Sequence, residues 1–151
     1  MKIVVKPAVS AVVLNSKNQV LLTKRSNKVI EPGKWCVPGG HFDGGDNWIG
    51  AIEKEVSEEV GLKIIDPILL GIYSAPELTL NENWYDSNTR QKVQFAVATF
   101  LIRRFEGEVK INDECSEWGW FELQKLPSPI ITANKVQCED AANFQGQVFL
   151  R

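Results

Sequence analysis

Histidine and methionine occur once each in the 151 residues, and cysteine three times. One histidine cannot supply a multi-histidine metal triad. Cys36, Cys115 and Cys138 are odd in number and show no C-x-x-C spacing, which argues against a disulfide framework and a cysteine zinc site and favours buried, inert thiols. Excess charge is also lacking. Seventeen basic against nineteen acidic residues leave a net charge of −2, too little positive charge to grip a nucleic-acid backbone, so no polymeric nucleic acid is expected as a partner. No apolar run approaches the roughly 20 residues that span a bilayer, and the opening MKIVVKPAVSAVVLN has no cleavage site after a charged segment, so no membrane association and a cytoplasmic location are expected. Repeats, low-complexity tracts and linkers are missing too, and the length suits a single domain over 1–151. Gly39 to Gly50 is glycine-rich but has neither the Gly-Lys-Ser/Thr ending of a P-loop nor G-x-G-x-x-G spacing.

Hydrophobic residues at 44% and charged residues at 24% are ordinary for a globular chain. Ala8 to Leu14 and Val20 to Leu22, separated by turn residues Ser16 to Asn18, predict a β-hairpin. Trp35 to Val37 predicts a short strand ended by Pro38, which withholds a backbone donor. Between Asn47 and Val60 the period changes: Ile49, Ile52, Val56 and Val60 recur at helical spacing, and Gly61 stands where a left-handed C-cap belongs. Ile64 to Tyr73 and Val93 to Ile102 have strand composition, the second apolar on both faces as in a strand covered on both sides. A polar loop is expected at 76–90, a last strand at Trp118 to Phe121, and a closing helix at Thr132 to Asn143 capped by the Thr132 hydroxyl. This order predicts an α/β (α+β) fold with a mixed β-sheet between helices.

On a wheel of about 100° per residue, Glu59 falls about 40° to one side of Glu55 and Glu58 about 60° to the other. Three carboxylates thus share one face, about a quarter-turn from the apolar stripe, where packing of that stripe leaves them at the edge of a cleft. Like charges at these spacings cost a helix about 0.2–0.5 kcal/mol per pair, and a divalent cation reverses the sign. A solvated, glutamate-rich surface is the plain alternative.

The surrounding residues resemble the Nudix hydrolase signature: a glycine, five residues, Glu, seven residues, then Arg-Glu-aliphatic-x-Glu-Glu-x-Gly-aliphatic. Here it is Gly40, Asp46, Lys54, Glu55, Val56, Glu58, Glu59, Gly61 and Leu62, with matching spacing over all 23 positions and Pro38-Gly39-Gly40 ahead of the loop. The likeness extends more loosely to the opening strands, to Leu-Leu-Thr-Lys-Arg at 21–25, and to Trp-x-Trp-Phe at 118–121 followed by Leu126-Pro127. Asp46 replaces the family's glutamate and Lys54 its arginine. The expected contact is therefore a shorter Asp–Lys pair with a point charge in place of a bidentate fork, and a more loosely held loop.

The resemblance implies a Nudix fold and hydrolysis of a diphosphate linkage in a nucleoside triphosphate, nucleotide sugar or ADP-ribose type of compound. Water attacks phosphorus, with Mg²⁺ or Mn²⁺ as cofactor. It also implies roles: Glu58 and Glu59 as metal ligands, Glu55 as a ligand or the group orienting the water, and the Gly39 carbonyl as a further ligand. A later acidic residue joins them, Glu114 being the candidate and Asp113 and Glu117 its competitors. Arg25 stands where a phosphate-contacting base is found, and Asn134 in a context reminiscent of base-reading members, though capping duty explains Asn134 as well. Trp84 and Tyr85 are candidates to stack on a nucleobase, or else to cover a core edge. His41, next to Gly40, is a candidate for substrate contact or a surface group. A nucleotide-binding module without turnover and a diphosphate isomerase are the competing readings; homodimerisation is left open.

Overall fold

Residues 2–151 are described in a computed structural model of the chain. In chain order the elements are β1 (Ile3–Val13), β2 (Gln19–Arg25), β3 (Trp35–Cys36), β4 (Gly39–His41), α1 (Trp48–Val60), β5 (Lys63–Ile65) and β6 (Ile68–Tyr73). Then follow α2 (Pro76–Thr79), β7 (Leu80–Tyr85), β8 (Lys92–Ile102), β9 (Arg104–Glu106), β10 (Cys115–Glu122), α3 (Thr132–Ala142) and β11 (Phe149–Leu150). The long strands β1 and β8 pair in parallel from Ile3↔Lys92 to Val13↔Ile102 and form the middle of a mixed sheet ordered β11-β6-β8-β1-β4, with β7 also on β8. A second sheet runs β10-β2-β3, and β5 pairs β9.

Alternation along the two central strands divides the core. Val9, Ala11 and Val13 of β1 with Ala98, Phe100 and Ile102 of β8 face α1, which buries Ala51, Ile52, Val56 and Val60 against them. Each such aliphatic side chain withdrawn from water contributes about 1.5–3 kcal/mol. Val12, Leu14 and Leu101 point the other way and pack with Cys138 and Ala141 of α3 and with Val20 and Leu22 of β2. The strand expected to be covered on both sides is thus β8, and the sheet lies between α1 and α3, as the sequence predicted. Helix α1 begins at Asn47, whose side chain accepts the Gly50 N–H at 2.7 Å, and ends at Gly61 with φ 71°.

Several local expectations are corrected. Strands β1 and β2 do not form a hairpin: beyond the Leu14↔Val20 bridge they diverge into different sheets, because β1 pairs with β8 and β4. The short strand does stop ahead of Pro38, at Cys36, but the chain then crosses from β3 in the small sheet to β4 on the edge of the large one. The segment 64–73 is broken at Asp66, with φ 50°, and Pro67, while 76–90 holds α2 and β7 in place of a loop. Thr132 is the first residue of α3, and Ile131 at the cap position makes no side-chain cap bond. Ile49 is 42% exposed; Ala51 takes its place in the buried stripe.

The edge strand β11 is anchored by a buried carboxylate. Arg151 Nη2 and Nε donate to Asp140 at 2.8 and 3.2 Å, and the buried Tyr73 hydroxyl donates to the same group at 2.8 Å. Burial and this acceptor both push the Tyr73 hydroxyl pKa upward. Arg151→Ala leaves Asp140, 4% exposed, without its cation; a lower unfolding midpoint is expected in denaturant melts, and Asp140→Asn should be the milder change.

Candidate active site

The cleft lies on the face of the main sheet opposite α1. Ala8 and Ser10 of β1 and Phe95 and Val97 of β8 line it, together with Thr23 and Arg25 of β2 and Asn134 and Gln137 of α3, around a cavity of about 640 Å³. Glu55, Glu58 and Glu59 line the same cavity although α1 packs on the other face of the sheet. They cross at the edge strand β4, where two consecutive residues lack side chains. A Cβ on Gly40 would stand 2.4 Å from Glu55 Oε2, and one on Gly39 would stand 2.5 Å from the Val9 carbonyl oxygen. Glycine at 39 lets β4 close on β1, and glycine at 40 leaves the volume that the Glu55 carboxylate fills.

Glu59 is held by one donor, the Gly39 N–H, at 3.1 Å to Oε2. Burial, with Glu55 and Glu114 adding repulsion, pushes its carboxyl pKa up to about 8; the Gly39 hydrogen bond and Arg25 oppose the shift. Burial, followed by repulsion from Glu58, also raises the pKa of Glu55. Among the described residues, no ion pair reaches Glu55, Glu58, Glu59 or Glu114. The cleft is lined by six carboxylates, Asp43, Glu55, Glu58, Glu59, Asp86 and Glu114, against two cations, Lys6 and Arg25.

Glu114 reaches the cleft because the preceding segment clasps the end of α1. Lys110 N–H donates to the Val60 carbonyl, Asn112 N–H to that of Glu59, and Asn112 Nδ2 to that of Glu58. Its competitors lie elsewhere: Asp113 pairs with Lys28 at 2.9 Å and Glu117 with Lys24 at 3.0 Å, and neither lines the cavity. The expected Asp46–Lys54 pair is not formed. Lys54 Nζ instead meets Asp43 Oδ2 at 3.3 Å, while Asp46 Oδ2 accepts the Asp43 N–H at 3.4 Å, so the shorter side chains meet through an intermediary.

Arg25, His41, Trp84, Tyr85 and Asn134 all line the cavity. Arg25 Nε donates to the Ile30 carbonyl at 2.5 Å. Phe95 gathers the aromatic end: His41 and Trp84 each meet it edge-on, with ring centroids 5.5 and 5.0 Å away. Trp84 Nε1 is enclosed without an acceptor, and Tyr85 is exposed. Asn134 is committed to the fold, accepting the Val37 N–H and donating to Gln137, which is the local duty considered for it. Sequence reasoning missed Phe95, Ser10, Gln137 and Asp43. The first three sit within strand and helix periods that mark only burial, and only the packing of β1, β8 and α3 brings them together. Lys6, ion-paired with the buried Asp86, ties the β7–β8 connection down over β1; that pairing and Thr89 hold the Asp86 pKa down at about 2.

A family profile for the NUDIX domain matches residues 4–139. The chain belongs to the NUDIX family. A curated relative, the ADP-ribose pyrophosphatase of Methanocaldococcus jannaschii, is 31% identical over 124 residues, covering 82% of this chain and 66% of its own length. The RNA pyrophosphohydrolase of Pelagibacter ubique is 28% identical over 128 residues, covering 82% of this chain and 80% of its own. Among solved structures, a MutT NUDIX hydrolase from Burkholderia pseudomallei superposes with a TM-score of 0.74 at 25% identity, covering 91% of this chain and 98% of that one. This NUDIX protein is accordingly a hydrolase, with the Nudix fold.

The donors suit a hard divalent cation in kind, being carboxylate oxygens without cationic partners. Among the described residues, though, no three His, Cys, Asp or Glu side chains are gathered closely enough to hold an ion by themselves. The arrangement fits a hydrated ion that keeps waters and shares the substrate's phosphate oxygens, as Mg²⁺ does, and not a closed protein cage.

Three outcomes follow from the glycine pair and the raised carboxyl. Gly40→Ala meets only the flexible end of Glu55, so the melting temperature should stay within about 3 °C of the parent while hydrolase activity falls. Gly39→Ala meets backbone and should cost about 1–3 kcal/mol in denaturant unfolding. Because the folded state holds the Glu59 proton up to about pH 8, its contribution to metal-free stability is present near pH 4.5 and lost as pH rises through 8. Glu59→Gln, which mimics the protonated form, should melt with the parent at pH 5 and above it at pH 8.5 in thermal scans with chelator.

Proposed function

We propose that the chain hydrolyses a diphosphate linkage in a nucleoside diphosphate-linked compound of the nucleoside triphosphate, nucleotide sugar or ADP-ribose type, by attack of water on phosphorus with Mg²⁺ or Mn²⁺. The observation that carries this reading is the gathering of Glu55, Glu58, Glu59 and Glu114 in one cleft with no cation paired to any of them among the described residues. A substrate phosphate is anionic and is repelled by such a lining unless further positive charge enters with it. The names of the two curated relatives point to the same chemistry on ADP-ribose and on RNA.

In this reading Glu58 and Glu59 hold the ion, joined by Glu55, the Gly39 carbonyl and Glu114. The ion supplies charge neutralisation of the phosphates and a more acidic water. Glu55, half-buried against Gly40 and raised in pKa, orients the attacking water and takes its proton on a carboxylate oxygen as the bridging P–O bond breaks. The Gly39 N–H holds Glu59 in place. Arg25 offers its guanidinium to a phosphate oxygen. The aromatic end around Phe95, with His41, Trp84 and Tyr85, takes the nucleoside. Phosphoryl transfer needs positioning and charge balance more than covalent catalysis, and the cleft provides both.

The test is a panel of normal and oxidised nucleoside triphosphates, ADP-ribose, nucleotide sugars, dinucleoside polyphosphates and a 5′-triphosphorylated RNA end, assayed for phosphate or nucleotide release with and without Mg²⁺. Hydrolysis of at least one class only with metal is expected, and Glu59→Gln should lower its kcat about a thousandfold or more while the protein stays folded by circular dichroism. Metal-independent turnover, or full turnover in Glu59→Gln, would falsify the reading.

A further inference from the structure

The connection between β2 and β3, residues 26–34, folds back on Arg25. The Arg25 N–H donates to the Lys34 carbonyl at 2.9 Å, and the Gly33 N–H donates to the Arg25 carbonyl at 2.8 Å. Arg25 Nε donates to the Ile30 carbonyl at 2.5 Å. Among the described residues no ion pair holds the terminal nitrogens of the guanidinium. The group is therefore oriented at its root and has no charged partner at its tip, and Arg25 lines the cavity together with Val29 and Ile30.

The Ile30 carbonyl is aimed by a backbone turn that needs outside support. Glu31, the next residue, has φ 58°, in the left-handed region that a glutamate rarely adopts, and such a conformation persists where surrounding contacts over-determine it. Those contacts are made by its own side chain, which is only 9% exposed and whose Oε1 accepts from Lys34 Nζ at 2.9 Å. The same carboxylate meets the side chain of Asn81 in β7. Asn81 Oδ1 already accepts the Asn83 N–H at 2.8 Å, which leaves Nδ2 to donate to Glu31. Burial pushes the Glu31 carboxyl pKa up, but hydrogen bonds from Lys34 and Asn81, with the charges of Lys34 and Arg25, outweigh it and leave the group below its ordinary value. The start of the connection is fastened as well: the Ser26 N–H donates to the Glu114 carbonyl and Ser26 Oγ to that of Asp113, both at 2.8 Å. A strut thus runs from the segment bearing Glu114, past Arg25, to β7.

Building on the proposed hydrolysis of a diphosphate, we propose that Glu31 is a positioning residue for that reaction: by locking the turn at 31 it aims the Ile30 carbonyl at Arg25 Nε and so fixes the guanidinium for a substrate phosphate. Glu31 does not itself line the cavity, so its effect passes through Arg25. An arginine stem is long and flexible, and a phosphate oxygen is best met by a planar fork already in place, because ordering it on binding costs affinity and misplacing it costs rate. A carboxylate remote from the acidic cluster thereby serves the phosphate end of the cleft without touching the substrate.

The experiment is a double-mutant cycle in kcat/KM with Mg²⁺, run on every compound of the panel above that the parent hydrolyses. Glu31→Gly removes the carboxylate while accepting φ 58° without strain, so the backbone can keep its course. Arg25→Lys keeps the charge but has no Nε–H to meet the Ile30 carbonyl. Glu31→Gly should lower kcat/KM about tenfold with arginine at 25 and less than about twofold with lysine there. Lys34→Met, which withdraws the cation from Glu31, should show the same dependence on residue 25 and serves as the test if the glycine variant does not fold by circular dichroism. A merely structural role would lower activity by the same factor in both backgrounds. An equal or greater loss with lysine at 25, or no loss in either background, overturns the inference alone. Absence of metal-dependent hydrolysis of every panel compound by the parent overturns it together with the function on which it rests.

Discussion

The close approach of α1 to a side-chain-free stretch of β4 is the constraint on which the site depends. An amphipathic helix packed on one face of a sheet normally presents its polar side to solvent and has no access to the opposite face. Here the sheet ends in an edge strand whose residues 39 and 40 carry no Cβ, and a Cβ at either place would collide within about 2.5 Å. The carboxylates of Glu55 and Glu59 pass through that notch, so one helix both closes a core and arms a cleft. Their electrostatics follow from burial: withdrawal from water raises both carboxyl groups, with Glu58 adding repulsion at Glu55 and Glu55 at Glu59.

The other edges of the cleft follow from how the remaining elements are tied to this frame. The segment after β9 satisfies the last carbonyls of α1 with Lys110 and Asn112, which carries Glu114 back to the glutamates. Helix α3 is joined to the chain beside β4 through Asn134 and Val37, and to the sheet through Gln137, Ser10 and Thr99. One end of the cavity is therefore acidic and the other lined with amides, hydroxyls and rings. A molecule carrying both phosphates and an aromatic, hydrogen-bonding head matches that division, provided cations accompany the phosphates.

Much of this was legible because α1 carries a periodic signal and a long ordered motif. The stripe of Ile52, Val56 and Val60, the stop at Gly61 and the three glutamates on one face are local properties, fixed by a 3.6-residue repeat whatever packs on them. The β-composition of 93–102 announced a strand covered on both sides for a similar reason. What failed was pairing. The turn at Ser16 to Asn18 is ordinary hairpin chemistry, yet β1 is drawn away because eleven residues of β8 match it in register, and from Ala8 to Val13 the strand is buried on both faces. Likewise, the motif named Asp46 as the partner of Lys54, and the fold of the loop set Asp43 there in its place.

By itself the sequence determined the helix, its stop at Gly61, the family and the cluster of acidic side chains, since each is written in residues within a few turns of one another. The tertiary structure alone decided which loop carboxylate joins them, which ring stands opposite His41 and Trp84, and how the amides of α3 are turned. Those choices depend on contacts between residues as far as 127 positions apart, such as Ser10 with Gln137. Only a folded sheet, with its alternation of faces and its right to one register, brings such distant groups within hydrogen-bond range.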